Sequence, residues 1–231
     1  MTVLSAIQEA TTVIGLTKPT GVFASVEREH IELADVANDI AERIANAHEW
    51  GDLTTLATIT GDASTEDWDM PADYDRMLTK ANLWSSSLET PLSHILDIDE
   101  WLGLEVQAFS HVINAWCKFG GQIHIKPALP DGVTAKYYYQ SNLIVTPTAG
   151  ANKARFTADT DVFRLDEQLL RLGIIYQWRA NKGLPNAEDM ANFEDRKEKL
   201  ISRDKGSRIL RVGRVRMPSG LKVAYPQNIT S

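Results

Sequence analysis

The chain has a single cysteine, Cys117, so no internal disulfide can form and the fold must be held by packing. No Cys/His cluster with zinc-site spacing accompanies it, and a reducing compartment is the simplest expectation. The five histidines are His30, His48, His94, His111 and His124. None stands three or four residues from another, which excludes a helical metal pair. No apolar run approaches the roughly 18 residues that a membrane helix needs. The opening Met1-Thr2-Val3-Leu4-Ser5-Ala6 lacks the basic start and long apolar core of a signal peptide, so assembly in the cytoplasm is expected. Gly120-Gly121 lacks the pattern of a phosphate-binding loop. Internal repeats and low-complexity runs are missing as well.

Acidic residues are missing from one region. After Asp204 there are none, while Lys205, Arg208, Arg211, Arg214, Arg216 and Lys222 give that segment a charge of +6. Removing these six cations from the net −7 leaves the first 204 residues at −13. An acidic body argues against a general nucleic-acid binder. A basic tail on an acidic body suggests docking onto something acidic, such as a neighbouring copy. With 43% hydrophobic residues in 231, the chain is long and apolar enough to bury a core without disulfides or metal.

Hydrophobic periodicity predicts a helix from Thr2 to Leu16, stopped by Gly15 and Pro19. A longer helix is expected from Val26 to Glu49, capped by Ser25, with Leu33, Val36, Ala37, Ile40 and Ile44 in one stripe. Leu53 to Thr60 reads as a strand. Met70-Pro71-Ala72-Asp73-Tyr74-Asp75-Arg76 reads as a Pro-led turn that starts a short helix. Asn82 to Leu88 is a candidate short strand, and Asp97 to Val106 a short helix.

A β block follows: strands at Asn114–Phe119, Gln122–Lys126 and Thr134–Asn142, turned by Gly120-Gly121 and Pro130-Asp131-Gly132. Phe163 to Lys182 carries two apolar stripes, with Asp159, Thr160 and Asp161 as candidate caps and Gly183 as the stop. Ala187 to Arg203 completes an antiparallel hairpin of helices. The segment from Gly206 onward has no core of its own and reads as extended. The expected class is α+β, mainly α. A helical core (1–110 and 155–204) carries a small antiparallel β insertion (111–154) and an extended basic arm (205–231).

No residue constellation in the sequence carries chemistry. The acids at Glu66-Asp67-Trp68-Asp69 and at Asp97, Asp99 and Glu100 fall in a loop and at a helix start, where solvation or capping accounts for them. Cys117 beside Trp116 reads as a small core residue. His124, alternating with Ile123 and Ile125, is expected at solvent or an interface. No catalytic residue, metal site or cofactor is expected. Trp116, Tyr137 and Tyr139 are candidates for contacts with other proteins, since aromatics are favoured at interfaces. The competing expectation is that they pack on the helices.

Several stretches resemble the head–tail adaptor (connector) family of tailed bacteriophages. They are Ala6-Ile7-Gln8 with Ile14-Gly15-Leu16, the helix end His48-Glu49-Trp50, and Met70-Pro71-Ala72-Asp73-Tyr74-Asp75-Arg76. The longest runs from Phe156-Thr157-Ala158-Asp159-Thr160-Asp161 through Leu165-Asp166-Glu167, Leu169-Leu170, Leu172-Gly173, Trp178-Arg179 and Lys182-Gly183-Leu184 to Ala187-Glu188-Asp189. The resemblance covers roughly residues 2 to 204. It implies a structural virion protein at the neck, with no enzymatic activity. It implies twelve copies in a ring below the portal protein, contact with tail or nozzle proteins, and genomic DNA passing through the lumen without specific binding or any membrane. The C-terminal segment of such proteins often grips the portal, which makes Arg208, Arg211, Arg214, Arg216, Lys222 and Tyr225 candidates for portal or inter-subunit contact. Trp116, Tyr137 and Tyr139 become candidates for the tail-side surface. An alternative class is a small intracellular binding protein whose basic tail contacts nucleic acid or an acidic partner.

Overall fold

The computed structural model describes residues 2–87, 90–106 and 114–204. Among these, the helices are α1 (Val3–Ile14), α2 (Arg28–Ala47), α3 (Ile98–Val106), α4 (Glu167–Asn181) and α5 (Ala187–Asp204). The strands are β1 (Thr54–Thr60), β2 (Asp67–Asp69), β3 (Tyr74–Met77), β4 (Trp84–Ser85), β5 (Ser93–His94), β6 (Ala115–Phe119), β7 (Gln122–Lys126), β8 (Thr134–Ser141), β9 (Val145–Thr146) and β10 (Val162–Phe163). The class is α+β, as expected.

The helical half follows the apolar spacing. Val3, Ala6, Ile7 and Ala10 of α1 are buried, and so are Leu33, Val36, Ala37, Ile40 and Ile44 of α2. Thr2 caps α1 by accepting from the Ser5 amide, and Gly15, at φ 85°, ends it. Ser25 does not cap α2. Its hydroxyl accepts from the Glu27 amide and meets His30 Nδ1 at 2.8 Å, so the helix starts later, at Arg28. Helix α4 packs on α1, α2 and α5. Gly173 stands where α4 meets α2 and α5, and a Cβ there would lie 2.3 Å from Ile40 Cγ2 and 3.2 Å from the Phe193 ring.

Asp159, Thr160 and Asp161 do not cap α4. Asp166 does, accepting from the Leu169 amide at 2.7 Å, and the chain before it forms the short strand β10. Asp159 and Asp161 instead clasp three segments together. The Asp161 carboxylate accepts from Lys153 Nζ at 2.6 Å and from the amides of Thr157 and Ala158, while its carbonyl accepts from Val3 N. Asp159 Oδ1 accepts from the amides of Val22 and Phe23. Burial pushes the Asp161 carboxyl up. The bonds from Lys153 and the two amides outweigh burial and hold it below the ordinary carboxylate value.

The β half is two packed sheets. The first places β8 centrally, with β1 along one side and β3 and β4 along the other. The second runs β2-β7-β6-β5. Ala57, Ile59, Trp116, Ile123, Ile125, Tyr137 and Tyr139 fill the space between them. On its other side the second sheet is covered by α3, through Trp101 against Ala115 and Cys117. The strands expected at 114–142 are thus joined by strands from 54–94, so two stretches of chain build the β half. The turn at Met70–Arg76 enters strand β3 and not a helix. Tyr74 to Met77 find a partner in β8, which local sequence does not reveal.

Gly173→Ala should destabilise by about 1–3 kcal/mol, since overpacking outweighs the helix-propensity gain. Gly103→Ala, with nothing within 4 Å of its Cβ, should hold or raise the denaturation midpoint. A native carboxyl below its unfolded value of 3.8 adds stability above that pH and loses it as pH falls through the lower native value. Asp161→Asn should therefore cost about 2 kcal/mol at neutral pH. It should also flatten the acid limb of a stability–pH curve below pH ~4.

Candidate interaction surfaces

Strand alternation sends β8 residues to opposite faces. Tyr137 and Tyr139 point into the space between the sheets, and Tyr138 and Lys136 point out. Tyr138 stands directly opposite Leu56, and Lys136 stands between Thr58 and Trp84. Leu56, Trp84 and Tyr138 are each about half exposed. This outer face floors a groove of about 990 Å³, walled by His48 and Glu49 after α2 and by the 77–82 loop. Lys80 and Lys136 are exposed on it. Glu49 is engaged with the amide and hydroxyl of Thr79, both at 2.6 Å.

The groove is braced where the helical and β halves join. Arg76 donates to the carbonyls of Ala45 and His48 at the end of α2, where unpaired carbonyls favour a cation. Asp73 accepts from the Tyr139 hydroxyl at 2.7 Å and from Ser141 at 2.8 Å. Burial works to raise the Asp73 carboxyl, yet these two bonds bring it below its usual value. Burial, with Tyr74 nearby, pushes Tyr137 up to about 12, and burial with the Asp73 bond pushes Tyr139 higher still. Trp50 Nε1 donates to Ile44 O, and His48 pairs with Asp204 at 3.2 Å, which ties the end of α5 to the same joint.

A second apolar surface lies on α3. Ile98, Leu102 and Val106 recur at four-residue spacing along one exposed flank, preceded by Leu96. Leu96 is 83% exposed and Val106 77%. Asp97, Asp99 and Glu100 are exposed around them. A cleft beside this flank is lined by Asp67, Ile98, Asp99, Trp101, Leu102, Phe119 and His124.

The sequence-predicted site residues fall differently. Arg208, Arg211, Arg214, Arg216, Lys222 and Tyr225 lie outside the described residues, as does His111. Trp116, Tyr137 and Tyr139 are at most 3% exposed, so in the single chain they are core and present no surface. They pack between the two sheets and not on the helices, since each lies on the face of its strand that the other sheet covers. His124 is buried as well, not at solvent. Its ring stacks on Phe119 at 3.7 Å and bonds Asp67 at 2.6 Å, beneath Trp101 of α3. Cys117 is buried, and burial raises its thiol away from thiolate. Asp69 accepts from Gln122, and Asp97 accepts from the Asp99 amide, so neither acidic cluster forms a converging pair. Among the described residues no group of His, Cys, Asp and Glu could hold a metal, and no helix is long and apolar enough to cross a membrane. Sequence reasoning missed the Leu56–Tyr138–Trp84 face, which needs long-range pairing. It also missed the α3 stripe, although the spacing of Ile98, Leu102 and Val106 was there to read.

Trp116→Ala should cost about 3–5 kcal/mol, as a large core truncation. Trp84→Ala should stay within about 0.5 kcal/mol in denaturant titration. The reverse order would place Trp116 on a surface and Trp84 in the core.

No curated protein matches this chain. The family model described as SU10 adaptor protein matches residues 1–217. The chain therefore belongs to the SU10 adaptor protein family, a family of structural phage proteins and not of enzymes. The match covers both halves of the fold and ends inside the basic C-terminal segment.

Proposed function

We propose that the chain is a head-to-tail adaptor of the virion: twelve copies form a ring that docks below the portal and receives the tail proteins. The observation that carries this reading is the family match over residues 1–217, which spans the helical half, the β half and the joint between them. The acidic body suits the passage of genomic DNA. Each Lys or Arg held against a phosphate adds salt-dependent affinity, and a body at net −13 over residues 1–204 disfavours such contacts. The basic segment 205–231 is assigned the portal-side or neighbouring-subunit anchor. It follows Asp204, the last residue of α5, which is bonded to His48 and Gly51 at the joint.

Phage lacking this protein should accumulate DNA-filled heads with no tails joined. Supplying the full chain in trans should restore tailed, infectious particles, and a chain ending at Asp204 should not. Normal tailed particles without the protein would overturn the adaptor reading. Normal joining by the shortened chain would overturn the role given to the arm alone.

A further inference from the structure

The two exposed apolar surfaces are opposite in charge. The groove on the first sheet has Leu56, Trp84 and Tyr138 on its floor and Lys80 and Lys136 exposed along it. The flank of α3 has Leu96, Ile98, Leu102 and Val106 exposed among Asp97, Asp99 and Glu100, with no Lys or Arg between residues 96 and 106. Contiguous exposed apolar surface of this kind marks an interaction site. The two surfaces also lie on opposite sides of the β half. One is the uncovered face of the first sheet, and the other rides on the helix that covers the far face of the second.

We infer that these surfaces bind each other between neighbouring copies, the α3 flank of one chain seating in the Trp84–Tyr138 groove of the next. The inference rests on the ring reading above and names the contact that builds the ring. A groove facing a second groove would bring Lys80 and Lys136 against their own copies, and two α3 flanks would oppose their aspartates. Like charges at an interface disfavour both self-pairings, while the crossed pairing is attractive. A contact between two different patches is head-to-tail: the growing chain keeps one free groove at one end and one free flank at the other, and addition continues until the ring closes. A helix laying an apolar stripe into a hydrophobic groove is also an established mode of recognition, with anchors read at four-residue spacing as in Ile98, Leu102 and Val106.

The test is cysteine cross-linking in the full chain, with Leu102→Cys and Tyr138→Cys introduced singly and together. Cys117 is buried and stays silent. Oxidation of assembled particles, and of concentrated purified protein, should give a ladder of linked chains from the double variant and no linked dimer from either single variant. Lys80→Glu with Lys136→Glu should reduce linking about tenfold, and adding Asp97→Lys with Asp99→Lys should restore it. Efficient dimers from Tyr138→Cys alone would show groove meeting groove and overturn the proposal. So would particles that contain the protein but yield no ladder. Particles without the protein would sink the adaptor reading instead. The ladder from purified protein would then decide the contact separately, its presence sustaining the inference and its absence overturning it.

Discussion

The fold depends on one buried carboxylate. Asp161 sits almost fully out of solvent, and its two oxygens are satisfied by Lys153 Nζ and two backbone amides. Through its carbonyl, and through Asp159 two residues earlier, the same turn holds the start of α1 and the loop at Val22 and Phe23. A lone buried charge is costly, and a charge with every lone pair occupied fixes geometry. Here the geometry fixed is the meeting of three distant stretches of chain, against which α4 then lays its apolar face.

A second joint has the same character. Arg76 closes the end of α2, Asp73 holds two hydroxyls of β8, and Trp50 and His48 tie the chain between α2 and β1 to α2 and α5. Three of the stretches that resemble the adaptor family, His48-Glu49-Trp50, Met70 to Arg76 and Phe156 to Asp161, fall at these joints. These residues fix the relative placement of the helical and β halves, and through it the walls of the groove at Trp84 and Tyr138.

Much of the fold was legible in the sequence, for identifiable reasons. Helices α1, α2, α4 and α5 follow from apolar residues at i, i+3 and i+4, and β6, β7 and β8 follow from alternation bracketed by Gly120-Gly121 and Pro130-Asp131-Gly132. Strands β2, β3 and β5 are two to four residues long and exist only through distant partners, so no local pattern announces them. Asp161 misled because capping a helix and anchoring a turn call for the same side chain. The aromatics misled because a period of two separates faces without saying which one another sheet will cover. Of the candidate surface, the α3 stripe was readable, whereas Leu56, Trp84 and Tyr138 come together only once β1 and β4 pair with β8.

That central position of β8 has a consequence for synthesis. Thr54 pairs with Gln140, and α1 and α2 pack chiefly on α4 and hardly on each other. As the chain leaves the ribosome, its first two helices have nothing to lean on, and β1 waits for a partner some eighty residues away. The β half can close once β8 has emerged to Ser141, whereas the helical half waits for α4, which ends at Asn181. The groove and the α3 flank, built on strands that end at Ser141, are then complete while α1 and α2 still lack α4, so the apolar faces of these two helices are what a half-made chain exposes longest.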